Sequence, residues 1–156
     1  MRRNCGWGLS CCIAATIARQ VARANFGGAI AEPVGKLLAG VDGLHMPAIS
    51  GWVNGPGGLA ADVTAWSEVK KRYAFVEDLA ALREKVTGPG NLERFDYWLN
   101  TYRATATMAE ARCLRGQLDK AMTAKQYAEA LAPRMELARA WTRLLTLQTA
   151  IVSTPG

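Results

Sequence analysis

The sequence predicts an all-α protein, an antiparallel helical bundle carrying a long, ordered Gly/Pro-rich loop. Three observations predict it. Apolar residues recur at three- and four-residue spacing through most of the chain after residue 64. The stretches that carry this spacing are joined by short connections, which makes neighbouring helices antiparallel. Glycine and proline gather between residues 43 and 64, where no helical spacing survives.

Taken in order, residues 1–43 read as a helical pair. Ile13, Ile17, Val21 and Ala24 share one side of a helix over residues 11–25, and Gly27-Gly28 interrupts it. A second helix runs to about Val41, with Pro33 in its first turn, an apolar face of Val34, Leu37, Leu38 and Val41, and Gly43 suited to its end. The start admits two readings. Arg2-Arg3, an apolar stretch from Trp7 to Ala18 and Ala22-Arg23-Ala24 outline a secretory signal; the alternative is an amphipathic first helix.

Residues 44–64 form the loop, with Pro47, Gly51 and Gly55-Pro56-Gly57-Gly58 turning the chain and Trp52 packing it against the helices. Residues 65–156 then form a three-helix region of the same domain. Its first helix starts at Thr64 or Ala65, lines one side with Trp66, Val69, Tyr73, Val76, Leu79 and Val86, and stops at Thr87-Gly88-Pro89-Gly90. Asn91 is the expected cap of the next, whose face is Leu92, Phe95, Leu99, Tyr102, Ala106, Ala109 and Cys113, with an end near Arg115-Gly116. The last helical stretch runs from Asp119 to Val152, broken or kinked at Pro133. Met135, Ala138, Trp141, Leu145, Gln148 and Val152 share one side of its second part.

Composition narrows the function classes. Half of the residues are apolar and 21% are charged, which suits a globular core and excludes a disordered or fibrous chain. The net charge of +6 is dispersed, and Lys70-Lys71-Arg72 is followed by Glu77 and Asp78, so no basic stripe points to nucleic acid. No stretch has the about 18 consecutive apolar residues of a membrane span. Four cysteines without a CxxC pair, and a single histidine at His45, leave no ordinary zinc ligand set. Neither a metal nor a cofactor is expected. Free thiols favour a reducing compartment, hence the cytoplasm; a cleaved signal would mean secretion.

Two groups carry candidate binding chemistry. Asp96, Asn100 and Arg103 fall in one narrow sector of a helix, so a carboxylate, an amide and a guanidinium face the same way and can grip hydroxyls through paired donors and acceptors. The simpler reading is that Asp96 and Arg103 bridge to another helix or meet water. Trp52 and Asn54, beside each other in the loop, suit a sugar, because an indole face stacks on C–H-rich sugar faces; the alternative is that Trp52 plugs the core. No serine lies in a nucleophile elbow, and Gly55-Pro56-Gly57-Gly58 lacks the Lys-Ser/Thr ending of a phosphate loop. Paired carboxylates for glycoside hydrolysis cannot be picked out by spacing, so no catalytic residue is assigned.

The run Gly88-Pro89-Gly90-Asn91-Leu92-Glu93-Arg94-Phe95-Asp96-Tyr97-Trp98-Leu99-Asn100-Thr101-Tyr102-Arg103 resembles a segment of large bacterial glycoside hydrolases of the agarase or α-glucuronidase kind. Ala24-Asn25-Phe26-Gly27, followed by Glu32, Leu37, Leu38 and Asp42, is similar to the helices that follow the catalytic barrel in such enzymes. The resemblance implies a role in carbohydrate metabolism as a helical accessory fragment of a polysaccharide-degrading hydrolase, inactive alone, because 156 residues are too few for the barrel itself. Its partners would be a polysaccharide or the separate catalytic domain. The competing expectation is an independent helical protein–protein interaction module, whose exposed apolar faces bind a partner or a second copy as a homo-oligomer. A third reading, a small stand-alone enzyme using Asp96, Asn100, Arg103 and His45, lacks a nucleophile or metal set.

Overall fold

The computed structural model describes the backbone of residues 8–41, 50–51 and 58–153, with side chains from 15 to 41 and from 59 to 153. Its helices are α1 (Gly8–Phe26), α2 (Ala31–Val41), α3 (Trp66–Val69), α4 (Ala74–Ala80), α5 (Pro89–Thr123) and α6 (Tyr127–Val152). The extended pairing among the described residues amounts to two residues per strand, β1 (Ser50–Gly51) against β2 (Gly58–Leu59), antiparallel. The protein is therefore an all-α helical bundle, as its periodicity predicts.

The chain gathers into two compact units, each assembled from separate stretches of sequence. The first takes the described part of residues 1–44 together with residues 77–96. Here α1 turns back into α2 through Gly27, whose φ of 87° belongs to the left-handed region, and one 3₁₀ turn over Gly28–Ile30. The helices cross closely at Gly35, where an added Cβ would lie 2.6 Å from the Arg19 Cα. Ala22, Phe26, Ile30, Ala31 and Val34 are buried from this pair. Phe26 meets Phe95 edge to face at 5.5 Å, and Arg94 donates from Nε to the Asn25 carbonyl at 2.8 Å. Asn91, expected as a cap, lies within the first turn of α5. Its Nδ2 donates to the Thr87 carbonyl, and Pro89 takes the first helical position behind Gly88, whose φ is 90°.

The second unit takes the described part of residues 45–76 together with the described part of residues 97–155. Its frame is the antiparallel hairpin of α5 and α6. Ala111 and Ala140, both fully buried, pack with Leu59, Met108, Leu114 and Leu137, and Arg143 donates to Glu110 across the pair at 2.6 Å. The segment after β2 lies along α5. Arg112 and Arg115 donate to the carbonyls of Ala60 and Leu59, and the Asp62 N–H donates to the Arg112 carbonyl at 3.0 Å.

Two boundaries differ from the sequence reading. Gly116 does not end a helix; α5 runs seven residues further, to Thr123. The glycine is needed because Asp62 passes over it, and a Cβ there would lie 2.2 Å from the Asp62 carbonyl oxygen. The actual stop has no glycine. Lys125 takes a φ of 59°, the Gln126 N–H donates to Ala121 O and the Lys125 N–H to Met122 O, which is the Schellman arrangement. Pro133 sits inside a continuous α6 and does not break it.

The helix expected over residues 65–86 is divided by a 3₁₀ turn over Lys70–Tyr73, and a second 3₁₀ turn follows at Arg83–Lys85. The tighter winding, about 120° per residue against about 100°, advances the residues that follow. Phe75, off the predicted apolar face, is buried in consequence and stands edge-on to Tyr102 at 5.3 Å.

Candidate functional site

The residues expected to bind a sugar are placed apart in their chemistry. Both carboxylate oxygens of Asp96 are taken by Arg83, Oδ1 from Nε at 2.7 Å and Oδ2 from Nη2 at 2.8 Å, a fork that holds the Arg83 guanidinium above its ordinary pKa. Asp96 belongs to the first unit, whereas Asn100, half-buried, and Arg103, exposed, belong to the second. Trp52, Asn54 and His45 lie outside the described residues. Among the described residues no cluster of three His, Cys, Asp or Glu forms a metal cage. Cys113 is fully buried, and burial pushes its thiol up from its ordinary pKa, so it is an inert core thiol.

A different surface stands out in the second unit. Six large apolar side chains in α6 (Tyr127, Leu131, Met135, Trp141, Leu145 and Val152) are between 46% and 78% exposed. Scattered exposed apolar residues need no explanation, but a contiguous row does. These residues form a row because of their spacing. Leu131, Ala138, Leu145 and Val152 follow at sevens, and Met135, Thr142 and Thr149 follow at sevens four residues later. Ala140, opposite Leu131 and Thr149, and Leu137, between that side and Trp141, are the residues that pack towards α5. Helix α6 is thus apolar on two faces, of which, among the described residues, α5 covers one.

The threonines complete the row. Thr142 donates its hydroxyl to the Ala138 carbonyl at 3.2 Å, and Thr149 donates to the Leu145 carbonyl at 3.0 Å. A hydroxyl satisfied by its own helix has no call on water or on a partner, so each threonine behaves here as a small apolar side chain. The flanks carry little free charge. Arg139 is bonded to Glu136 and Arg143 to Glu110, while Arg134 lies at the edge of the row. At the far end, Gln148, Thr149, Val152 and Ser153 line a shallow hollow of about 350 Å³.

Periodicity in the sequence places Met135, Ala138, Trp141, Leu145, Gln148 and Val152 on one side but not Leu131 or Tyr127, because a last helix begun at Asp119 and broken at Pro133 separates them from that face. A single helix from Tyr127 extends the same seven-residue pattern back across the proline, and that spacing was the available signal.

A second, smaller apolar feature lies on α5. Tyr97 and Trp98 are partly exposed with their rings at 5.7 Å, and Trp98 is tilted against Tyr102 at 6.0 Å. Among the described residues, no helix is long and apolar enough to cross a membrane. Compared with known proteins, the chain matches no family model, no curated protein and no solved structure.

Proposed function

We propose that this chain is a helical protein–protein interaction module and that its docking surface is the outer face of α6. The observation that carries the reading is the row of exposed Leu131, Met135, Trp141, Leu145 and Val152, with the threonine hydroxyls between them turned back onto their own helix. Leaving such a row in water has a cost of about 25 cal/mol per Å² of apolar surface, and covering it returns that free energy to an association. Helix-in-groove and helix-on-helix recognition use anchors at this spacing. The test is a pair of outward-facing charge substitutions, Leu131→Glu and Leu145→Glu, in the full chain. Each should leave helicity unchanged, leave the melting temperature unchanged at a dilution where the unaltered chain is monomeric, and abolish whatever association the unaltered chain shows, with itself or with a captured partner. Association that is absent, or that survives both charges, would refute the reading.

The second reading, a helical accessory part of a polysaccharide-degrading glycoside hydrolase, draws its support from the run 88–103 and from one structural observation. Tyr97 and Trp98 offer partly exposed aromatic surface within that run, and aromatic faces suit sugar rings. Titration of the chain with agaro- or glucuronoxylo-oligosaccharides, followed by tryptophan fluorescence, should give a saturable change that Trp98→Ala removes. No change at millimolar oligosaccharide would count against it.

A further inference from the structure

We infer that the occupant of the α6 face is a second copy of this chain, packed antiparallel about a two-fold axis near residue 140. The inference deepens the proposed docking function and rests on it. Three observations favour it.

The first is register. With Leu131, Ala138, Leu145 and Val152 at one core position of a heptad and Met135, Thr142 and Thr149 at the other, antiparallel pairing sets each kind against the other. Leu131 then faces Thr149 of the second copy, Met135 faces Leu145, and Ala138 faces Thr142. The same three layers recur in reverse on the other side of the axis, so one face complements itself, as a two-fold interface requires. A parallel pair instead stacks small on small at 138, 142 and 149, whereas the antiparallel pair does so only in the two Ala138–Thr142 layers beside the axis.

The second is charge. A parallel pair brings Arg134 of one copy beside Arg139 of the other, like against like. The antiparallel pair sets Arg134 opposite Gln148 and brings the two Trp141 rings together on one flank of the axis. On the other flank the two Arg139 meet, each bonded to its own Glu136, one like-charge contact against the two of the parallel pair.

The third is size. The row from residue 131 to 152 is about 32 Å long at 1.5 Å per residue. Its five large side chains, Leu131, Met135, Trp141, Leu145 and Val152, are 46–78% exposed and offer roughly 600 Å² per copy, somewhat below the about 800 Å² per partner of a standard protein–protein interface. The hollow at Gln148, Thr149, Val152 and Ser153 lies where Leu131 of the second copy arrives.

The experiment is sedimentation equilibrium of the full chain from low to high micromolar concentration, with tryptophan fluorescence followed on dilution and compared with that of Trp141→Phe, since the chain has five tryptophans. The unaltered chain should reach twice its 16.8 kDa mass. Met135→Glu and Leu145→Glu should each weaken the dimer at least tenfold while remaining fully helical. Thr142→Leu, which fills the layer opposite Ala138, should tighten it severalfold. In an oxidised mixture of the single variants Ala138→Cys and Thr142→Cys, peptide mapping should find a disulfide joining position 138 to position 142. A dimer with 138 joined to 138 overturns the antiparallel arrangement, and a dimer that survives both charges overturns its placement on α6. A chain that stays monomeric throughout overturns the second copy as occupant. If that monomer retains a foreign protein which Leu145→Glu releases, the docking function stands while this inference falls.

Discussion

Replacing Gly116 by alanine is the most direct test of how the second unit is built, because the ordinary expectation has the opposite sign. Inside an exposed helix, Gly→Ala stabilises by about 1 kcal/mol, through lower backbone entropy in the unfolded chain. At Gly116 the new methyl would lie 2.2 Å from the Asp62 carbonyl oxygen, 2.6 Å from its carbon and 3.0 Å from the Val63 nitrogen. All three are backbone atoms and cannot swing aside. The segment is also tied down on its near side. Asp62 donates to the Arg112 carbonyl, Arg112 and Arg115 donate to Ala60 and Leu59, and Leu59 is buried against Ala111 and Ala140.

Relieving the clash means lifting this segment from α5. Each backbone or guanidinium hydrogen bond given up costs about 1 kcal/mol, and partial exposure of Leu59 costs roughly 1–2 kcal/mol more. Set against the propensity gain, the net destabilisation is about 2–3 kcal/mol, within the range of overpacked cores. For a chain of this length that lowers the melting temperature by roughly 5–10 °C. The assay is far-UV circular dichroism on heating, with Gly40→Ala as the internal comparison. Gly40 lies in α2 with nothing within 4 Å of its would-be Cβ, so that variant should melt at the same temperature or about 1–2 °C higher. If Gly116→Ala melted as high as the unaltered chain, the path of residues 59–63 across α5 would be refuted.

The remaining predictions concern single groups. Lys125→Gly should stabilise by about 0.5–1 kcal/mol, because glycine takes the left-handed conformation at φ 59° without strain; urea unfolding measures it, and a loss of stability would refute the Schellman stop. Burial raises the phenols of Tyr73 and Tyr102. Their folded pKa values lie above the unfolded value, so the stability they contribute is fully present below about pH 10 and is lost as pH rises from there through the folded values. Ultraviolet titration should therefore find two phenols that ionise late and together with alkaline unfolding. Cys113, buried with its thiol pKa raised, should alkylate with iodoacetamide only at the rate of unfolding, as peptide mapping of the modified chain would show.

The legibility of this fold in its sequence varied with what each residue answers to. The stop at Thr87-Gly88-Pro89 was readable because local backbone chemistry alone dictates it: a positive φ at Gly88, then a proline where no N–H is needed. Gly116 misled for the converse reason. Its glycine answers to a chain segment more than fifty residues away, and nothing in its neighbours announces that. The true end of α5 was hidden because a lysine occupies the left-handed position that glycine usually marks. The 3₁₀ winding at Lys70–Tyr73 was equally silent, and with it the burial of Phe75. The candidate polar group of Asp96, Asn100 and Arg103 was sound as helical geometry. The spacing on α5 could not reveal that Arg83 would claim both oxygens of Asp96.

The two faces of α6 carry this argument to function. Periodicity reports that residues share a side of a helix; it does not report what covers that side. From spacing alone, the row through Met135, Ala138, Trp141 and Leu145 is as good a core face as Leu137 and Ala140. Packing decides between them by size. Close approach to α5 needs small residues, and Ala111 and Ala140 supply it, fully buried with Leu137 beside them. The larger side chains, Leu131, Met135, Trp141 and Leu145, hold a neighbour further off and remain outside the hairpin. A helix with two apolar faces calls for a neighbour on each, yet among the described residues α6 has one. The surplus face has its hydroxyls turned inward, lacks a free carboxylate, and follows a seven-residue repeat that complements its own reverse. Those are properties of a seam between helices, and they are why a second copy of the chain is the first partner to look for.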